Sequence, residues 1–231
     1  MKLSSGNISD LPELRERTRV FKDRKHAGKV LAEMLEAFRK TDGIVLGIPA
    51  GGVPVGAVVA SRLGLLFDVA VVSKITLPWN TEAGYGAVAF DGTLKLNEGM
   101  LRNLSLTEDD IQKGISKTSA KVKHRVDKLR GGQPFPDISA RPVILIDDGI
   151  ASGFTLRVAV EAVRNAGAGH VMVAVPTGHR KSVEKIAEAV AALYCPNIRG
   201  GLRFAVASAY EDWYDVAEEE VLEILEESKK F

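Results

Sequence analysis

The stretch VILIDDGIASGFTL (residues 143–156) decides the reading of the chain. Four apolar residues, Val143 to Ile146, run directly into two adjacent acids, Asp147 and Asp148. A loop of small residues and then a helical pattern follow. Adjacent carboxylates repel, and acids on the lip of a buried strand cost free energy unless something binds them. An apolar run with no polar alternation reads as a strand covered on both faces, as in a parallel sheet. The stretch therefore predicts a strand, an acidic lip, a small-residue loop and a helix.

Outward from it, the same unit recurs in kind though not in sequence. Residues 1–20 are polar and irregular. From Lys22 onward Ala27, Leu31, Met34, Leu35 and Phe38 form one apolar helical stripe. Strands are predicted over 43–48, 68–73, 142–146 and 171–175, with a late strand over 204–208. Helices are predicted over 53–63, 155–165, 181–191 and 216–228. A long helix over 107–130 starts at Thr107, has acids in its first turn and stops at Gly131-Gly132. Residues 76–86 read as a polar loop, followed by short strands over 87–90 and 93–96. Strand, loop and helix alternate with no internal repeat and no linker, which predicts a single α/β domain with a mostly parallel sheet.

Composition excludes little and favours nothing exotic. At 231 residues, 45% hydrophobic and 26% charged, the chain can bury a sizeable core. A net charge of +1 gives no push toward nucleic acid or a membrane. The only cysteine, Cys195, rules out an intrachain disulfide and fits a reducing compartment. The first twenty residues have no secretory apolar region, and no apolar run approaches the ~20 residues that span a bilayer. The cytoplasm is the expected location.

In open α/β sheets, ligands sit beyond the carboxyl ends of the strands, where Asp147 and Asp148 lie. Both acids can serve one ligand only if the strand ends at about Ile146. In the loop that follows, Ala151 to Thr155, small residues let backbone N–H groups converge, and a helix N-terminus favours an anion. Two acids for vicinal hydroxyls beside an amide nest for a phosphate match ribose 5-phosphate.

These residues carry a resemblance. VILIDDGIASGFTL resembles the 5-phosphoribosyl-1-pyrophosphate (PRPP) signature of type I phosphoribosyltransferases, which has four apolar residues, two acids and a short Thr/Ser-Gly loop. Together with FKDRKHAG near Phe21 and ASAYEDWYDV near the end, about residues 20–225 resemble a bacterial and archaeal group of that family. The resemblance implies a type I phosphoribosyltransferase-like fold, a mostly parallel central sheet flanked by helices with a small hood from the terminal segments. The core would span about 40–195, and the hood about 1–40 and 196–231.

It further implies transfer of a 5-phosphoribosyl group from PRPP, with Mg²⁺, to a nucleobase or other small acceptor, as in nucleotide salvage. Asp147 and Asp148 would hold the ribose hydroxyls. Ala151, Ser152, Gly153, Phe154 and Thr155 would hold the 5-phosphate, with Phe154 departing from the small residue often found there. Ala50, Gly51 and Gly52 would meet the pyrophosphate. A basic residue is often found in that loop, so Ala50 leaves Lys74 as the candidate cation and as a catalytic residue with the two acids. Asn80 and Glu82, in WNTEAGYG, would belong to a closing lid. Tyr210 and Trp213 would stack on the acceptor, with Arg24, Lys25 and His26 on the opposite wall. Ala151 stands where 6-oxopurine members carry an acid, which speaks against that acceptor class. No metal-ligating residues are expected, because Mg²⁺ prefers substrate phosphate and water oxygens.

Plainer readings stand beside these. The acids can cap a helix, the glycine pair can be an ordinary turn, Lys74 can be solvated, the lid can be a hairpin, and the aromatics can anchor the last helix. The basic face of 107–130 reads as solvated, and its apolar seam (Ile111, Ile115, Val122, Val126, Leu129) as a dimer contact. The four histidines lack metal-ligand spacing, and neither a Walker A sequence nor GxGxxG is present. The rivals to a catalytic transferase are a non-catalytic PRPP-binding regulator and an RNA-binding protein using the basic helix.

Overall fold

A computed structural model of the chain describes residues 6–201 and 203–229; within it, the side chains of Thr81 and Glu82 lie outside the description. The chain begins with β1 (Ile8–Ser9) and α1 (Arg24–Met34). Next come β2 (Ile44–Gly47), α2 (Gly52–Leu63) and β3 (Leu66–Val69). Then β4 (Val72–Leu77), β5 (Asn80–Ala89) and β6 (Leu94–Leu96) lead into a one-turn α3 (Glu98–Leu101) and the long α4 (Glu108–Arg130). The second half contains β7 (Pro142–Ile146), α5 (Phe154–Asn165), β8 (His170–Ala174), β9 (Thr177–His179) and α6 (Arg180–Ala187). It ends with β10 (Ala192–Tyr194), β11 (Asn197–Arg199) and α7 (Glu218–Ser228).

Six strands form one parallel sheet in the order β1-β10-β8-β7-β2-β3. Alternate side chains leave a strand on opposite faces, and the core divides accordingly. Ile44, Leu46, Val143 and Leu145 pack with α5 and α6. Val45, Ile144 and Ile146 pack on the other face with α1 and α2. Helices therefore cover both faces, which is why the strands are uniformly apolar. From β2 the chain moves outward to β3; from β7 it moves the other way, to β8. The order reverses between these two central strands, and a crevice opens at their carboxyl ends.

Several expectations need correction. The apolar run 68–73 is two strands in two sheets. β3 ends at Val69, the chain crosses through fully buried Ala70 and Val71, and β4 begins an antiparallel sheet with β5 and β6. Burial continues across the crossing, so hydrophobicity carries no mark of it. Residues 76–86 are not an open loop. β4 and β5 form a hairpin, with Leu77 opposite Asn80 and the exposed Trp79 in its turn. Residues 85–89 of β5 are all buried: Ala87 and Ala89 face one core cluster, and Tyr85 and Val88 face another. Residues 204–208 form no strand; they are irregular and end in a 3₁₀ turn over Ala207–Ala209. The helix expected over 181–191 stops at Ala187, and Ala192–Tyr194 joins the main sheet.

The helix over 107–130 agrees with expectation to within a residue. Thr107 and Asp110 form a reciprocal capping box, and basic residues occupy the last turn. Its apolar seam does not face outward. Val122 and Leu129 are buried, and Ile111, Ile115 and Val126 pack against a core shared with β4, β5 and α7. The seam is consumed within the chain and offers no dimer contact. Among the described residues, no helix is long and apolar enough to cross a membrane.

The terminal segments pair with each other. Val20 N–H and Phe21 N–H both donate to Ala209 O, and Glu211 N–H returns to Phe21 O. Asn197, fully buried, fastens the N-terminal arm: its Nδ2 donates to the carbonyls of Leu14 and Arg17, and its Oδ1 accepts from Thr177 Oγ1. Asn197→Ala leaves these groups unsatisfied at a cost of about 1–3 kcal/mol. Thermal unfolding should show Tm lower by about 2–4 °C per kcal/mol. An unchanged Tm would show that the arm is not held by this residue.

Candidate functional site

β2 and β7 are adjacent and in register, with Gly47 opposite Ile146. Their loops therefore leave the same sheet edge at the same level. Ile48 N–H donates to Ile146 O at 2.8 Å, which extends the ladder one step into the loop. The Pro49–Ala50 peptide is cis, and Gly51 and Gly52 then pass directly beside the acids. A Cβ on Gly51 would overlap the Asp148 carboxylate. One on Gly52 would overlap Ile146 O and stand 2.9 Å from Asp147 Cα. At Gly52 the close approach of two backbones excludes any side chain, and at Gly51 one would displace the Asp148 carboxylate.

Asp147 and Asp148 follow the last residue of β7, as the sequence predicts. Asp148 N–H donates to Asp147 Oδ1 at 2.9 Å. Asp147 lines a cavity of about 580 Å³ together with Lys74 and the loop Ala151, Ser152, Gly153, Phe154 and Thr155. Asp148 does not line this cavity; its carboxylate lies against Gly51 and Arg24. Burial pushes the Asp147 carboxyl well above the usual carboxylate range. Asp148 pushes it further, while Arg24 and Lys74 pull it back. Burial also raises Asp148, against the opposing charge and hydrogen bonds of Arg24.

The loop after the acids is built for an anion. Gly153 has φ +71°, a left-handed conformation suited to glycine, and it is the N-cap of α5. Gly153 gives this helix no side-chain cap, and its first turn contains no acid. Phe154 N–H donates to Ser152 Oγ at 3.4 Å, and the N–H groups after it, with the positive end of the dipole, are left for a ligand. Phe154 packs against the core, so its bulk does not consume the nest, and Ser182 Oγ braces the loop by donating to Ala151 O at 2.6 Å.

The remaining expected residues fall unevenly. Lys74 sits within β4 rather than beyond a strand, and it reaches the cavity. Ala50 packs toward the core of β4, β5 and α4, away from the cavity. The β4–β5 hairpin brings Ala83, Gly84 and Gly86 to the cavity wall. Asn80 stands at the hairpin turn, its Oδ1 accepting from Ala83 N–H; the Glu82 side chain lies outside the described residues. Tyr210 is only 3% exposed. Its ring packs on Phe21 and Trp213, and its hydroxyl donates to Asp148 O at 2.6 Å. It has no face to offer a base, and it acts as an anchor for the acid lip. Trp213 retains exposure and lies over Arg24.

Lys185, Arg157 and Asn97 also line the cavity, on helix and loop positions that no motif marks. Arg24, expected on the wall opposite the acceptor, instead pairs with Asp148. It occupies the first turn of α1, where a cation opposes the helix dipole. A basic residue placed there, right after an Asp N-cap, is a legible signal for an acidic partner.

Residues 21–208 match the family described as "Phosphoribosyl transferase domain". A Mycobacterium tuberculosis protein named "Putative phosphoribosyl transferase", recorded from two strains, is 32% identical over 215 residues. The match covers 92% of this chain and 48% of that protein, so the chain spans about half the length of the curated relatives it matches. The crystal structure of TT1426 from Thermus thermophilus is similar at 35% identity and a TM-score of 0.72. That match covers 90% of this chain and 98% of the other.

A carboxyl raised by folding favours the folded state when protonated, and that preference is lost as pH rises through its folded-state value. Ionised Asp147 therefore opposes folding at neutral and alkaline pH. Asp147→Asn, which can still accept from Asp148 N–H, should raise Tm there by about 2–4 °C per kcal/mol relieved. The gain should vanish at acid pH, where the wild-type carboxyl is protonated. A Tm that is lower at every pH would contradict this assignment.

Proposed function

The chain belongs to the phosphoribosyl transferase domain family, and from that premise we propose that it transfers the 5-phosphoribosyl group of PRPP to a small nitrogenous acceptor. The observation that carries this reading is one cavity that unites Asp147, Lys74 and the loop at the N-terminus of α5. Asp147 and Asp148 take the ribose hydroxyls, since ionised carboxylates are acceptors and hydroxyls donate to them. The nest from Ala151 to Thr155 takes the 5-phosphate. Gly51 and Gly52 bring backbone beside the pyrophosphate, and Lys74 supplies the positive charge that Ala50 does not.

The acceptor nitrogen attacks C1 of the ribose. The bond from C1 to the pyrophosphate oxygen breaks, pyrophosphate leaves with the electron pair, and the nitrogen loses its proton. Positive charge develops on the ribose ring and negative charge on the leaving group. The protein's part is to align the two reactants and to place fixed positive groups where the negative charge grows.

Among the described residues no group of three or more His, Cys, Asp and Glu gathers to hold a metal. Mg²⁺ would instead be carried on substrate phosphate and water oxygens, which calls for no dedicated protein cage. When bound, the ion neutralises charge on the pyrophosphate. The paired terminal segments, with Trp213 exposed beside Arg24, are the proposed hood over a nucleobase acceptor.

The test is PRPP binding by calorimetry with Mg²⁺, followed by pyrophosphate release across a panel of acceptors. Acceptor-dependent release would support the transferase and name its substrate. Tight binding without release from any acceptor would favour a PRPP-binding regulator. Replacing both Asp147 and Asp148 by Asn should weaken PRPP binding on the order of tenfold to a hundredfold. Unchanged affinity in a folded double variant would remove the acids from the ribose site.

A further inference from the structure

Arg24 is 5% exposed, and its hydrogen bonds join three distant parts of the chain. Nε and Nη2 both donate to Asp148 Oδ2, at 3.0 and 2.9 Å. Nη1 donates to the main-chain carbonyl of Tyr214 at 2.9 Å. The guanidinium lies over the Trp213 ring, 4.0 Å from its centroid. Tyr210 closes the circuit from the other side through its hydroxyl bond to Asp148 O. One arginine thus fixes one acid and seats the segment 210–214 upon it.

We propose that Arg24 is a positioning residue for phosphoribosyl transfer, setting the plane of the Asp148 carboxylate and coupling it to Trp213 and Tyr214. This rests on the PRPP reading of the site. Two donors on one oxygen hold the carboxylate in a fixed orientation, with Oδ1 outside the ion pair and able to accept from a ribose hydroxyl. Only a planar fork can do this while also reaching a carbonyl and stacking on an indole; a lysine supplies the charge without the geometry.

The charge matters as well. Asp148 must be ionised to accept from a hydroxyl, yet it is buried next to a second acid. The groups that act on it are Arg24 from α1, Asp147 on the same lip, and Tyr210 and Asp215 from the terminal segment. Gly51 brings no charge. Lys74, from β4, acts on Asp147. Arg24 is the cation that touches Asp148, so its removal should change where binding titrates.

The chain has two tryptophans, Trp79 and Trp213, so a Trp79→Phe background isolates the emission of Trp213. In that background, Mg²⁺-PRPP affinity and Trp213 emission are measured across pH for Arg24, Arg24→Lys and Arg24→Met. Arg24→Met should lose affinity about tenfold or more, and the pH below which binding weakens should move upward. Arg24→Lys should restore much of the pH profile but not the full affinity, and Trp213 emission should no longer respond to PRPP as it does with arginine.

A folded Arg24→Met variant with unchanged affinity and pH profile would overturn the proposal. So would a loss that is equal at every pH and unrelieved by lysine, which marks a purely structural anchor. Should Arg24→Met fail to fold, Arg24→Lys decides alone: full affinity together with the full emission response would overturn the proposal. Absence of PRPP binding in the Arg24 background itself would instead defeat the PRPP reading, and is seen before any Arg24 variant is compared.

Discussion

The site depends on β2 and β7 lying side by side in parallel register. Gly47 opposite Ile146 puts two loop starts at one level, and the bond from Ile48 N–H to Ile146 O locks them there. A slip of one residue would exchange the two faces of β7. It would turn Ile144 and Ile146 away from α1 and α2, and would carry the acid lip out of reach of Gly51 and Gly52. The register is therefore held by burial on both faces, and the glycine loop inherits its place from it. Because the chain leaves these strands in opposite directions, neither α2 nor α5 crosses the gap between their ends, and the crevice stays open.

The acid lip is the unfavourable element in this arrangement. Asp147 and Asp148 are raised by burial, and Asp147 by its neighbour too. The surrounding positive groups answer the acids unequally, and the charge of Arg24 acts on both. Arg24 meets Asp148 from α1, with its aromatic stack shielding the pair from water. Lys74 acts on Asp147 from the antiparallel sheet. Two cations from different elements thus offset the charge of the lip, with Arg24 in direct contact with Asp148. This arrangement also leaves Asp147 facing the cavity, while Asp148 is held against Arg24 and Gly51.

Much of this was legible in the sequence, and the failures share a cause. The strand over 142–146, the acids at its lip and the helix after Gly153 could be read because each changes residue type at its boundary. The same is true of α4, with Thr107 at one end and Gly131 at the other. The passage from β3 into β4 has no such change: Ala70 and Val71 are as buried as the strands on either side. The hairpin was hidden because its polar tip looks like a loop, and a bulge opposite Ile75 and Thr76 breaks the period of two in β5. Tyr210 shows the opposite error. An aromatic in a polar segment invites a stacking role, but composition does not reveal that its hydroxyl answers a main-chain carbonyl in the lip. Arg24 is legible as a wall of the hood, but its pairing with Asp148, 124 residues away, is not.

The long-range character of these contacts explains why the site cannot be reduced to its motif. Arg24 and Asp148 are separated by 124 residues, and Arg24 and Tyr214 by 190. A peptide that folded only through β7 and α5 would carry the acids and the nest but not the cation that orients Asp148. Closing chain segments of this length costs entropy that local contacts do not recover. The closure is therefore carried by the apolar cluster of Phe21, Ala27, Ala209 and Tyr210, which joins the two ends around the arginine. Hydrophobic burial brings the termini together, and the ion pair, which contributes little net stability by itself, uses that closure to orient a carboxylate. This division of labour lets a core built for stability hold a charged group at a site whose own chemistry opposes folding.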